Sequence, residues 1–144
     1  MSNDNLELEI EVNIRFSDTD AMGVVWHGNY LRLLEDGREA FGKHFGMDYL
    51  DVHKNGFFTP IVKSELEHKS PIYYGEKARV ITRFIPSKAA KMVFEYEVFN
   101  ANTGQLSATG KTIQVFLHAE SRTLELNTPE FFEIWKKSVL EKVG

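Results

Sequence analysis

Two carboxylates, an imidazole and a turn glycine fall within thirteen residues, Asp18-Thr19-Asp20-Ala21-Met22-Gly23-Val24-Val25-Trp26-His27-Gly28-Asn29-Tyr30. The stretch lies between a segment of alternating apolar residues and an amphipathic one, so it joins a strand to the N-terminus of a helix. A carboxylate there is a nucleophile or a general base. The first N–H groups of the helix have no intrahelical acceptor, and with the helix dipole they polarise a carbonyl oxygen. A negative base beside such donors is the minimum equipment for attack on a carbonyl carbon, which points to acyl transfer. The His27 ring is placed to add a donor or to act as an acid toward a leaving group.

Each residue also has a plainer reading. Asp18 and Asp20 suit backbone capping and turns, because Asp side chains accept from nearby N–H groups. His27 taken alone reads equally as a structural or solvated histidine. A calcium loop begins with the right letters. It fails at Met22, where an oxygen ligand is required, and at Asn29, where a bidentate Glu belongs. His44, His53, His68 and His118 show no metal-ligand spacing. Neither a Gly-x-Ser-x-Gly elbow nor a glycine-rich nucleotide fingerprint occurs. The chain has no cysteine, which removes disulfides, thiolate metal sites and Cys nucleophiles. Glu35 and Arg38, three residues apart on the helix, read as an ordinary exposed ion pair. Pro86-Ser87-Lys88-Ala89-Ala90-Lys91 reads either as a solvated hairpin tip or as a phosphate contact made by its two lysines.

The elements that must position these groups follow from periodicity. From Leu6 to Phe16 apolar and polar residues alternate strictly, which predicts a strand with one buried and one wet face. Tyr30, Leu33, Leu34, Gly37, Phe41 and Phe45 recur at three- and four-residue steps, which predicts a helix from about Asn29 to Phe45, stopped by Gly46. Gly37 lies on the apolar stripe of that helix, which implies close approach to a sheet. Met47 to Gly56 reads as a loop. Strands are predicted near Thr59–Lys69, Glu76–Ile85, Met92–Ala101 and Gly104–Ala119, with a tight hairpin at Asn102-Thr103-Gly104. Thr128-Pro129-Glu130 marks the start of a short last helix with Phe131, Phe132, Trp135 and Val139 on its apolar side. One long helix on a largely antiparallel sheet is an α+β architecture.

The bulk numbers fit that reading. A chain of 144 residues with 42% hydrophobic and 26% charged residues suits one globular domain, here residues 1–144. A net charge of −4 leaves no electrostatic footprint for nucleic acid. The polar start lacks the features of a leader, and no apolar run is long enough to span a membrane. A cytoplasmic protein without a membrane span is the expectation.

Taken together, Phe16-Ser17-Asp18-Thr19-Asp20-Ala21-Met22-Gly23-Val24-Val25-Trp26-His27-Gly28-Asn29-Tyr30 closely resembles the signature of the hotdog-fold acyl-CoA thioesterases, in the 4-hydroxybenzoyl-CoA thioesterase-like branch. That pattern is Asp-x-Asp-x-x-Gly-(Val/Ile)-Val-(Trp/Tyr)-(His/Tyr/Phe)-x-x-Tyr, and every position is met. Thr59-Pro60-Ile61-Val62 is similar to the start of the second strand in that family. The resemblance implies a hotdog fold: a long central helix wrapped by a five-stranded, largely antiparallel sheet, with a short C-terminal helix. It implies hydrolysis of a small, medium-chain or aromatic acyl-CoA, with Asp20 as the catalytic carboxylate. His27 would hold the carbonyl oxygen through its backbone N–H and take part through its ring, while Asp18 would be structural. Gly28, Tyr30, Thr59, Lys88 and Lys91 would contact substrate or coenzyme A. No metal or cofactor is implied beyond the coenzyme A thioester itself. Family members form homodimers, usually doubled to homotetramers, with active sites between subunits. Two rival functions share the fold: a non-catalytic acyl-CoA-binding module, and a hydratase or dehydratase, whose His-Phe-Pro motif is absent.

Overall fold

A computed structural model describes residues 6–143, with side chains through residue 140. Strand β1 spans Leu6–Asn13 and turns Leu6, Leu8, Ile10 and Val12 to the interior, leaving Glu7, Glu9 and Glu11 outside. Helix α1 follows the motif at Tyr30–Phe45, and α2 is a short helix at Tyr49–Lys54. Then come β2 (Phe57–Phe58), β3 (Ile61–His68), β4 (Lys77–Ile85), β5 (Lys91–Asn100), β6 (Leu106–Val115), β7 (Leu117–His118) and α3 (Glu130–Val143). Five strands form one sheet in the order β1-β4-β5-β6-β3, and every neighbouring pair is antiparallel. In register, Leu8 faces Thr82, Thr82 faces Tyr96, Tyr96 faces Gly110 and Gly110 faces Leu66. The expected α+β arrangement of one long helix on an antiparallel sheet is therefore present.

Alternation puts Ala78, Val80, Thr82 and Phe84 of β4 and Phe94, Tyr96 and Val98 of β5 on the buried face. Helix α1 lies against it with Tyr30, Leu33, Leu34 and Phe41 buried. A Cβ added at Gly37 would strike the Thr82 hydroxyl and come within 2.9 Å of Val80 Cγ1. The glycine on the apolar stripe is thus a point of close approach between helix and sheet, as its position predicted. One turn earlier, Leu34 lies over Gly110 of β6 in the same way.

Helix α3 closes one end of the core. Its Phe132 and Trp135 stack at 5.5 Å between ring centres, and Phe84 packs edge-on against both. The Trp135 indole N–H donates to the Phe45 carbonyl at 2.7 Å, satisfying an acceptor at the exposed end of α1.

Three differences from the sequence expectation exceed a shift of one or two residues at an element's end. The first strand ends at Asn13 rather than Phe16, because the Asp18 carboxylate captures the Arg15 N–H at 2.8 Å. That bond folds Phe16–Asp18 into a 3₁₀ turn and leaves Phe16 exposed. The Met47–Gly56 loop contains α2, nucleated by a reciprocal cap: Asp51 N–H donates to Asp48 Oδ1 at 2.9 Å, and Asp48 N–H donates to Asp51 Oδ2 at 3.0 Å. The segment expected as a single strand from Gly104 to Ala119 breaks at the buried Phe116. Beyond it, β7 leaves the main sheet and pairs with β2. Among the described residues no helix is long and apolar enough to cross a membrane.

Candidate active site

The motif is a closed loop tied at both ends by Asp18. Its carboxylate is almost fully buried, accepts the Arg15 N–H and pairs with the guanidinium of Arg32 from α1. Its carbonyl accepts from Trp26 N–H at 3.0 Å and from the Asn29 side-chain amide at 2.8 Å. These bonds close the loop on itself through Arg15 and Trp26 and tie it to the helix start through Asn29 and Arg32, which makes Asp18 an anchor of the loop. A second tether runs sideways: Val25 N–H donates to Ile72 at 2.8 Å, and Tyr74 N–H donates to Gly23 at 2.9 Å.

Asp20 is held differently. Its Oδ1 accepts Met22 N–H at 2.8 Å and Val24 N–H at 3.4 Å, closing a turn in which Gly23 takes φ +76°. Among the described residues its other oxygen, Oδ2, accepts nothing. A half-buried carboxylate with one oxygen anchored to the backbone and the other unspent is an oriented base or nucleophile.

The helix does not begin directly at Asn29. A 3₁₀ turn at His27–Asn29 leads into Tyr30. Asn29 N–H donates to Trp26, but the N–H groups of His27 and Gly28 find no acceptor among the described residues. Two adjacent unpaired donors at the start of a long helix are what a developing oxyanion needs. The Trp26 indole lies over Gly28, where any Cβ would fall within 2.6 Å of ring atoms. The His27 ring is exposed and tilted against Trp26 at 4.8 Å, and no hydrogen bond joins it to Asp20.

The other sequence candidates scatter. Tyr30 is buried in the core and its hydroxyl pairs with Ser107 at 2.8 Å, while Ser107 donates onward to the Ser70 carbonyl at 2.6 Å. Burial pushes its hydroxyl pKa up, so the phenol stays neutral and fixes α1 to β6. Thr59 lies between β2 and β3, where its carbonyl accepts from the Gln114 amide at 2.6 Å. Lys88 is exposed in the β4–β5 turn, beside Lys136, Lys137 and Ile134 of α3. Lys91 opens β5 and is half-buried. The groove beside Lys88 includes no residue of the motif.

Thr59 leads to a feature that periodicity did not reveal. A cavity of about 670 Å³ opens between α1, α2 and the inner face of the sheet. Met47, Val52, Phe58, Met92 and Phe94 supply apolar wall, with Arg38 and Gln114 among them. Arg38 is therefore not an ordinary exposed partner of Glu35. The pair is loose at 4.0 Å, and only 22% of the Arg38 side chain is exposed against 60% for Glu35. The motif and the cavity share no residue within one chain, although α1 carries the motif at its N-terminus and lines the cavity along its middle.

Residues 14–141 match the family model described as the thioesterase-like superfamily. The chain belongs to the thioesterase-like superfamily. Its relatives in this superfamily include "Putative acyl-CoA thioesterase YneP" of Bacillus subtilis, 36% identical over 77% of this chain and 80% of that one. The 1,4-dihydroxy-2-naphthoyl-CoA hydrolase of Prochlorococcus marinus is 28% identical over 89% of this chain and 87% of that one. Among solved structures, a DHNA-CoA thioesterase from Staphylococcus aureus superposes with a TM-score of 0.81 at 28% identity, covering 94% of this chain and 93% of that one. The layering of α1 on the five-stranded sheet is accordingly the hotdog fold, and the activity class of this superfamily member is thioester hydrolysis.

Proposed function

We propose that this thioesterase-like protein hydrolyses acyl-CoA thioesters with Asp20 as the reacting carboxylate and the His27 and Gly28 N–H groups as the oxyanion site. The observation that carries the reading is the asymmetry of Asp20: Oδ1 is pinned by two backbone donors and Oδ2 is unspent. In the general-base route, Oδ2 takes a proton from water as the water oxygen bonds to the thioester carbon. The carbonyl oxygen becomes an oxyanion, received by the two unpaired N–H groups. When it collapses, the C–S bond breaks and coenzyme A leaves as a thiolate, a good leaving group that needs no metal or cofactor. In the nucleophilic route Oδ2 bonds to the carbon itself, the C–S bond breaks and coenzyme A leaves as a thiolate, and water then hydrolyses the mixed anhydride to the free acid and the Asp20 carboxylate. Labelled oxygen trapped in Asp20 during a single turnover would select the second route.

The separation of motif and cavity supports a site shared between two copies. The cavity receives the acyl group, and the motif of a second copy supplies Asp20 to it. The edge of β3, with Val62 60% exposed, is available for such pairing. A homodimer is the working unit, doubled to a tetramer as the family resemblance implies. The relatives that act on aromatic CoA esters support an aromatic acyl group as the first to try.

The test is free-thiol release from short, medium, long and aromatic acyl-CoAs, with wild type and Asp20→Asn side by side. Turnover by wild type that collapses in the variant is the expected result. Silence across the panel with binding still detectable would favour the non-catalytic acyl-CoA-binding module. For the shared site, mixing Asp20→Asn with a cavity-filled Met92→Trp variant, each inactive alone, should restore activity through mixed dimers.

A further inference from the structure

A single backbone carbonyl organises the motif. The Asp18 carbonyl oxygen accepts the Trp26 N–H at 3.0 Å and the Asn29 side-chain amide at 2.8 Å, which fills both of its lone pairs. A carbonyl oxygen only accepts, so the amide nitrogen of Asn29 is the atom turned toward it. The Asn29 N–H returns to the Trp26 carbonyl at 2.8 Å, and the Tyr30 N–H closes on the His27 carbonyl. His27 and Gly28, whose N–H groups have no acceptor among the described residues, therefore lie between two residues fixed to one oxygen. Asp20 follows that oxygen by two residues along the chain.

Asn29 stands at the N-cap of α1, where Asn ordinarily turns its side-chain oxygen to the N–H groups of the first turn. Here it does not. The side chain makes no cap hydrogen bond, and the backbone is already helical at φ −85° and ψ −8° instead of extended. Its amide is committed backward, across eleven residues of chain, to Asp18. Asp would serve a cap equally well, but an ionised carboxylate cannot donate to a carbonyl. Arg32, three residues further along α1, grips the Asp18 carboxylate and so steadies the loop as a whole, whereas Asn29 is bonded within the turn that carries the donors. From the reading that the His27 and Gly28 N–H groups receive the oxyanion, on which the inference rests, we infer that Asn29 is a positioning residue whose amide sets those two donors relative to Asp20. It makes no hydrogen bond to Asp20 among the described residues, so its effect passes through the donors.

The experiment compares Asn29→Asp and Asn29→Ala with wild type. Asp caps a helix as well as Asn does and Ala caps poorly. A residue that merely caps α1 would therefore give a normal Asn29→Asp and an impaired Asn29→Ala, with turnover following the melting temperature. A positioning amide gives a different pattern. Both variants should lose about tenfold or more in kcat, since a misplacement of about 1 Å costs up to about 100-fold. KM should stay within about threefold of wild type, as for an interaction realised in the transition state. Asn29→Asp should melt no lower than Asn29→Ala, and the uncharged Ala variant separates lost geometry from the charge that Asp adds. Full kcat in either variant, or losses of kcat that track the melting temperature across both, would overturn the inference. A second measurement needs no turnover. A CoA ketone with CH₂ in place of the thioester sulfur offers a carbonyl to the donors, and the matching thioether offers none. Wild type should bind the ketone about fivefold more tightly, the worth of a hydrogen bond, and both variants should bring that ratio close to one. Should no thioester be cleaved, a ratio present in wild type and lost in both variants would uphold the inference while the hydrolase reading failed. A ratio that survives the variants, or is absent from wild type, would overturn the inference itself.

Discussion

Asp18 and Asp20 are the same residue type two positions apart, and the structure holds them in opposite ways, so replacing each by Asn tests the proposed separation of stability from chemistry. Asp18 is 2% exposed, accepts a backbone N–H and faces the Arg32 guanidinium. Asn at that site loses the charge and turns an NH₂ group toward one of two donors. Breaking a buried pair by removing one partner costs about 3–5 kcal/mol. Here the Arg32 side chain is 34% exposed and keeps Asp36 at 3.4 Å, so the loss is reduced to about 2–3 kcal/mol. For a chain of this length that lowers the melting temperature by about 6–12 °C. Asp20→Asn is different, because the amide oxygen still accepts from Met22 and Val24. Its stability should stay within about 0.5 kcal/mol of wild type. Its turnover should fall by about 100-fold or more, the typical worth of a positioned base. Thermal unfolding followed by circular dichroism, with thiol release on the same preparations, measures both. If Asp20→Asn melted as low as Asp18→Asn, or if Asp18→Asn kept its stability and lost its turnover, the division of roles would be refuted.

Gly37→Ala gains about 1 kcal/mol of helix propensity but drives a methyl into Thr82 and Val80, and overpacking costs about 1–3 kcal/mol. A net loss near 1 kcal/mol in urea unfolding is expected, and a stabilised variant would show that α1 can lift without cost. Trp135→Phe keeps the ring stack with Phe132 but orphans the Phe45 carbonyl, so it should lose about 1–2 kcal/mol; a loss below about 0.5 kcal/mol would mean water replaces the indole. The Asp48 carboxylate is held below its ordinary pKa, chiefly by the Asp51 N–H it accepts. Its folded value is depressed, so the capping contribution is present above the unfolded pKa of about 4 and disappears as pH falls through the folded value. Protection of the Asp51 amide against hydrogen exchange should therefore exceed that in Asp48→Ala near neutral pH and converge with it in acid. A difference that persists unchanged in acid would assign the protection to something other than the carboxylate.

Much of the fold could be read from the chain because the signals are long and redundant. Eleven residues of alternation announced β1, and sixteen residues of helical periodicity announced α1, Gly37 included. What escaped was short or tertiary in origin. Six residues are too few to show a helical period, and the signal for α2 was the Asp-x-x-Asp pair that caps it. The break at Phe116 depends on β2 being available to pair with β7, which nothing local to Gly104–Ala119 discloses. At the site, the motif pointed to Asp20, which holds one oxygen on backbone donors, and to the N–H groups after Trp26, which have no acceptor among the described residues. It also drew in Tyr30, whose place in the pattern reflects its anchor on Ser107 inside the core. Arg38 and Gln114 were invisible for a physical reason: burial of a polar side chain on a buried face is decided by the elements packed above it, not by its neighbours in sequence.

The arrangement gives α1 a double duty. Its N-terminus offers the unpaired donors, while Arg38 and Gly42, two turns and more along, line the cavity. Both functions ride on a helix held against the sheet at Gly37, tied to the motif loop by Arg32 and to β6 by Tyr30. A rotation of α1 would therefore disturb the unpaired N–H groups and the cavity wall together, which favours fixing the helix by close contact rather than by a flexible side chain. Substitutions at Gly37, Tyr30 or Asp18 should then impair turnover in proportion to their effect on stability, whereas Asp20→Asn should lower turnover with stability kept.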